Sequence, residues 1–170
     1  MRGVLGSFGQ ESFVRLDEWK SRVALDSFSV EVRFRCDTLA GIQPLVNIWN
    51  GIDGFNLFLD EGVPVFMTGA AGTNGGNFRV PHIVKGIWHH ITAVYDGNSM
   101  SLFLDGSRSS SSYPQMGSLP MLISPLYLGR LGSISFIGQI DELRIYSRVL
   151  SDKEIMVHYL RKELRDFLWA

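Results

Sequence analysis

Nine residues, Phe28-Ser29-Val30-Glu31-Val32-Arg33-Phe34-Arg35-Cys36, alternate between apolar and polar without a break. A period of two is the mark of a half-buried β-strand. Phe28, Val30, Val32, Phe34 and Cys36 share one face, and Ser29, Glu31, Arg33 and Arg35 share the other. Such a strand needs an apolar layer to face. Runs at 44–50, 55–60, 63–68, 87–95, 100–105, 121–129 and 134–146 read as the further strands that supply it. Asp60-Glu61-Gly62 and Asp96-Gly97-Asn98 read as tight turns, so consecutive strands are expected to pair antiparallel. Residues 69–77 and 107–117 lack periodicity and read as loops. The pattern is that of an all-β sandwich or barrel.

At 170 residues the chain is long enough for one domain with a sizeable core. Its 16 Lys+Arg against 17 Asp+Glu, with no basic run, exclude a general nucleic-acid binder. No apolar stretch approaches the roughly 18 residues that span a bilayer, so membrane insertion is not expected. Met1–Ser7 lacks the apolar centre of a secretion signal, so any export is expected to use a signal elsewhere or another route. Cys36 is the single cysteine, which excludes an intrachain disulfide and a multi-cysteine metal site. Its place in the alternation predicts a small buried hydrophobe.

Past residue 150 the period changes. Ser151-Asp152-Lys153-Glu154 is a capping box. Ile155, Tyr159, Leu160, Leu164, Phe167 and Leu168 then recur near i, i+4 and i+7, which predicts an amphipathic helix of about four turns. The chain thus divides into a sandwich over 1–150 and a helix over 151–170, packed either on the sandwich or on a partner. In the second case the chain is a homo-oligomer and Tyr159, Leu160, Leu164, Phe167 and Leu168 make the contact.

Four ordered segments carry a signature: Trp88-His89-His90-Ile91-Thr92-Ala93-Val94-Tyr95-Asp96-Gly97, Leu102-Phe103-Leu104-Asp105-Gly106, Leu126-Tyr127-Leu128-Gly129-Arg130, and the run from Phe136 to Ile155. Together they closely resemble the laminin-G-like, concanavalin A-like jelly-roll domains, over about residues 5–160. The resemblance implies an antiparallel jelly-roll β-sandwich, here with a C-terminal amphipathic α-helix. It also implies a non-catalytic module, extracellular or on a particle or cell surface, that binds glycans or glycoproteins. The alternative is a structural or decoration protein of a viral particle, fibre or surface layer, self-assembling through the helix. A polysaccharide-cleaving enzyme would need two carboxylates flanking the bond. Asp141-Glu142 are adjacent and point to opposite faces, and Asp60-Glu61 sit in a turn.

A glycan site needs aromatic rings to stack on sugars and amides or carboxylates to bond hydroxyls. Trp49, Asn50, Asp53, Asn74, Asn77 and Tyr113 are the candidates near loops. Trp88 opens a core strand and is expected to be buried. The resemblance further implies one structural calcium ion beside Asp141, helped by a carbonyl of the opening strand at Gly9. That strand reads Phe8-Gly9-Gln10 where the family commonly has Phe-Asp-Gly, so a purely hydrogen-bonded Asp141 is the alternative. If the last strand is unbroken, Asp141 lines up with Ile137, Leu143 and Ile145 on the core face; a bulge would reverse this. His89 and His90 are adjacent on a strand and point to opposite faces, so they cannot share an ion.

Overall fold

The computed structural model describes residues 6–9, 11–17, 26–49, 53–69, 76–77, 82–109, 113–114, 117, 119 and 124–168. Among these, two antiparallel sheets carry the fold. In spatial order the first is β1 (Gly6–Phe8), β15 (Gly138–Tyr146), β3 (Phe28–Cys36), β8 (Trp88–Tyr95), β9 (Ser99–Leu104) and β10 (Ser107–Arg108), with β11 (Tyr113–Pro114) also on β9. The second is β2 (Val14–Leu16), β12 (Leu126–Leu128), β4 (Ile42–Trp49), β5 (Gly54–Asp60), β6 (Val63–Thr68) and β7 (Gly76–Asn77). A small hairpin joins β13 (Arg130–Leu131) to β14 (Ile134–Ser135).

Consecutive strands pair where tight turns join them, as in β5–β6 and β8–β9, and β4 also pairs with β5. Elsewhere the expectation of consecutive pairing fails. The centre of the first sheet is β15–β3–β8, and β12 inserts between β2 and β4. A turn fixes only local pairing, whereas a strand with one apolar face is placed by the core that it must cover.

That core lies between the sheets. Phe28, Val30, Val32, Phe34 and Cys36 of β3 join Ile91, Ala93 and Tyr95 of β8 and Met100, Leu102 and Leu104 of β9. Facing them are Leu45, Val46 and Ile48 of β4, Phe55, Leu57 and Leu59 of β5, Phe66, Leu126 and Leu128. Phe28 is enclosed by the rings of Phe55, Phe66 and Tyr95 at centroid distances of 5.2, 6.0 and 5.7 Å. Each large apolar side chain buried in this way contributes about 1.5–3 kcal/mol. Cys36 is fully buried, and burial pushes its thiol pKa up, which keeps it protonated.

Helix α1 (Asp152–Leu168) begins at the predicted capping box. Ser151 Oγ accepts from the Glu154 backbone N–H at 3.3 Å, and Glu154 Oε2 accepts from the Ser151 backbone N–H at 2.9 Å. The start of the helix packs on its own sandwich. Ile155 is fully buried with Val94, Phe103 and Leu150 on the outer face of the first sheet. Arg108 of β10 adds a two-pronged ion pair to Asp152, at 2.8 and 3.1 Å.

Three local expectations are corrected. The last strand is not unbroken: the register against β3 shifts between Asp141 and Leu143, with Glu142 at a φ of 51°. Ile140 faces the core before this bulge, and Leu143 and Ile145 pack against it after, so Asp141 lies on the outer face opposite Arg33. Stretches 69–77 and 107–117 are not wholly loop, since β7, β10 and β11 add edge pairing there. Trp88 is only half-buried, and its ring carries the Arg33 guanidinium at 4.2 Å.

Candidate functional site

The outer face of the second sheet is built by alternation. Val46 and Ile48 of β4 enter the core, which turns Asn47 and Trp49 outward; Leu126 and Leu128 of β12 do the same for Tyr127. Register then aligns these side chains across strands. Arg15 pairs with Tyr127, Tyr127 with Asn47, and Asn47 with Asn56. Asn47 donates an amide N–H to Asn56 Oδ1 within this row.

A groove of about 490 Å³ opens over this row, lined by Phe13, Arg15, Asn47, Trp49, Tyr127, Arg130, Leu131 and Gly132. Its volume falls within the roughly 300–1,000 Å³ usual for small-ligand sites. Phe13 and Tyr127 lie with ring centroids 6.0 Å apart, tilted by 48°. The Arg15 guanidinium lies 5.8 Å from the Tyr127 centroid, and that of Arg130 lies 4.2 Å from the Phe13 centroid. Arg130 Nε donates to the Gly132 carbonyl at 2.8 Å, which fixes its plane. The lining therefore combines flat apolar rings, an amide and two cations.

Of the residues singled out in the sequence, Trp49 lines this groove. Asp53 is half-buried close to Gly54, outside the lining. Asn77 sits in β7, three strands across the second sheet from Trp49, and Tyr113 sits in β11 of the first sheet. The four described candidates, Trp49, Asp53, Asn77 and Tyr113, are thus not brought together as one site. Asn50 and Asn74 lie outside the described residues. Phe13, Arg15, Asn47, Tyr127 and Arg130 were missed. Two of these were readable, because Val46-Asn47-Ile48 and Leu126-Tyr127-Leu128 each alternate across a polar or aromatic centre.

Asp141 and Gly9 are not brought together either. Phe8 pairs with Gly138 and Gly6 with Ile140, so Gly9 falls beyond one end of this pairing and Asp141 beyond the other. Asp141 Oδ2 instead accepts from Arg33 at 3.3 Å, both side chains being largely buried. Among the described residues, no group of three or more His, Cys, Asp or Glu side chains is placed to hold a metal ion.

The two neighbouring histidines diverge as expected. His89 Nδ1 pairs with Asp105 at 2.8 Å and its Nε2 accepts from the Val84 N–H at 3.0 Å. His90 faces the other side, 3.8 Å from Glu31. There Tyr159 turns inward, its ring stacked near His90 at 6.4 Å, while Leu160 is 47% exposed. The helix continues through Leu168, and the side chains of Leu164, Phe167 and Leu168 lie outside those described. No helix among the described residues is long and apolar enough to cross a membrane.

Fold and groove together define an antiparallel jelly-roll sandwich with an open, aromatic-lined sheet face. The chain matches the family model of the concanavalin A-like lectin/glucanases superfamily over residues 8–156 and belongs to it. It is 27% identical over 132 residues to an asparagine-rich protein of Margaritifera margaritifera, covering 71% of this chain and 19% of that protein. The chain therefore spans about a fifth of that relative's length. Among solved structures, it is similar to the mouse laminin alpha1 chain, domains LG4-5, at 19% identity and a TM-score of 0.67, covering 85% of this chain and 43% of that one. It is also similar to domain 4 of an extracellular arabinanase from Geobacillus stearothermophilus, in complex with arabinotriose. There the identity is 19% and the TM-score 0.72, with 92% of this chain and 78% of that one covered. At these identities the structural likeness speaks for the fold alone.

Proposed function

We propose that the protein is a non-catalytic module that binds glycans or glycoproteins outside the cell or on a surface, through the groove on the outer face of the second sheet. The observation that carries the reading is the convergence of Phe13, Trp49 and Tyr127 on one groove that also holds Asn47 and two arginines. Aromatic faces suit the C–H faces of a sugar ring, and the amide and guanidinium groups suit its hydroxyls. The arabinotriose held by the arabinanase domain of similar fold supports a saccharide as occupant. Among the described residues, the groove lining offers aromatic rings, an amide and two guanidiniums, which suit binding. Assembly through the helix has less support, because Ile155 and Tyr159 face the chain's own first sheet.

A printed glycan panel probed with the wild type and with Trp49→Ala and Tyr127→Ala tests this. The expected result is binding to at least one glycan class by the wild type, weakened about tenfold or more in both variants at an unchanged melting temperature. A silent panel, or binding that both substitutions leave intact, overturns the reading.

A further inference from the structure

Two cations enter the groove. Arg15 and Arg130 are the charged side chains among the described residues of its lining. Bulk composition does not account for this, since the chain as a whole carries a formal net charge of −1. The two guanidiniums are linked through a pair of rings in the same groove. Arg15 lies on Tyr127 and Arg130 on Phe13, and these two rings are themselves in contact at 6.0 Å.

Among the described residues, neither cation is consumed by the fold. Arg130 engages Nε with the Gly132 carbonyl, and its terminal nitrogens make no hydrogen bond within the described structure. Arg15 meets Asp17 through one terminal nitrogen at 2.6 Å, in a pair whose side chains are 51% and 64% exposed. An exposed pair of this kind is weak and readily exchanged for a ligand. A neutral sugar seated on the rings would displace water from both guanidiniums without supplying a counter-charge, which costs free energy. A carboxylate or sulfate offers paired oxygens that match the guanidinium fork and answers the charge.

Resting on the glycan reading above, we infer that the groove takes an anionic saccharide. Its ring lies against Tyr127 and Trp49, and its carboxylate or sulfate ester lies between Arg15 and Arg130. The ring stacking gives affinity for a saccharide, and the arginine pair selects the charged one.

Titration calorimetry with two matched pairs of probes tests the inference and separates the two anion sources. One pair is oligogalacturonate and its carboxyl-reduced counterpart; the other is dextran sulfate and dextran. The expected result is that at least one anionic probe binds about tenfold or more tighter than its neutral counterpart and weakens as salt is raised. Arg130→Gln and Arg15→Gln are each expected to lower that affinity about tenfold, with the melting temperature unchanged. The source is the carboxylate if oligogalacturonate alone responds, and the sulfate if dextran sulfate alone does. Equal binding of neutral and anionic partners overturns the inference, and so does anionic binding that both arginine variants retain. Failure of both polyanions to bind also overturns it. In each case the glycan reading stands or falls separately, on whether the panel is silent and on the response to Trp49→Ala.

Discussion

Glu31 of β3 and His158 of α1 are 127 positions apart in sequence, yet their side chains meet, with His158 Nδ1 at 3.0 Å from Oε1 and 3.1 Å from Oε2 of the carboxylate. Glu31 is fully buried. The Tyr146 hydroxyl donates to its Oε2 at 3.1 Å, and His90 Nε2 approaches Oε1 at 3.8 Å. The outer face of the first sheet thus carries a polar cluster under the helix, with the carboxylate at its centre, beside the apolar cluster around Ile155. The alternation that placed Glu31 opposite the core also placed it under α1.

A carboxylate so buried costs several kcal/mol unless it is paired, and removing one partner exposes that cost. His158→Ala is expected to destabilise the fold by about 1.5–3 kcal/mol, as the loss of a hydrogen bond to a charged group. Glu31→Ala removes the charge together with its bonds to Tyr146 and His158 and should cost about 1–3 kcal/mol. Urea unfolding of both variants and of the double variant gives the coupling directly. Additive losses, with no coupling energy, would show that the pair does not hold the helix to the sheet.

Acid should loosen the same helix from its first turn. Hydrogen bonds from Arg148, and then from the Ser151 backbone and hydroxyl, hold the Glu154 carboxyl down at about 2, against an ordinary value of 4.5. Arg108 likewise holds Asp152 below the usual carboxylate range. For an acid whose pKa is depressed by folding, the stabilisation is complete above its unfolded value and is lost as pH falls through its folded one. The window for Glu154 therefore runs from about 4.5 down to about 2. Wild type should melt above Glu154→Gln at pH 6, and the gap should close across that window. A gap that does not change with pH would contradict the linkage.

How much of this was legible varies with the range of the interaction. The bounds of β3 follow from its alternation to the residue, and Ser151 and Glu154 cap the helix as their spacing predicts. The bulge at Glu142 stood in the sequence only as an alternative, because a φ of 51° there carries no glycine to announce it. Without that bulge Asp141 is misassigned to the core. The groove was half legible. Period two turns Trp49, Asn47 and Tyr127 outward, but nothing local brings Arg15 and Tyr127 side by side across more than a hundred residues. Sites assembled by long-range register are read from topology rather than from motif spacing.

Asp141 has a cation of its own in Arg33, whose guanidinium is held between the carboxylate at 3.3 Å and the Trp88 ring at 4.2 Å. Arg33→Ala should remove a hydrogen bond to a carboxylate in a residue only 7% exposed and destabilise the fold by about 1.5–3 kcal/mol. With Arg33 present, thermal melts in calcium and after chelation are expected to coincide. A midpoint that drops on chelation and returns with calcium would place a metal beside Asp141 after all.

Gly54 connects the stability of the second sheet to the groove. It pairs with Trp49 at the end of β4–β5 and adopts a φ of +136°, a conformation that side chains rarely take. A Cβ at this position would lie 1.9 Å from the Ile48 carbonyl oxygen, which belongs to the backbone and cannot swing aside. The dihedral alone makes Gly54→Ala cost about 1–3 kcal/mol. For a domain of this size that lowers the melting temperature by roughly 2–12 °C. Relief of the clash must part β5 from β4 at Trp49, so glycan binding should fall along with stability. Trp49→Ala, which removes a half-exposed ring and leaves the pairing intact, should lower binding alone. A Gly54→Ala protein that melts lower yet binds as well as wild type would separate Trp49 from the site.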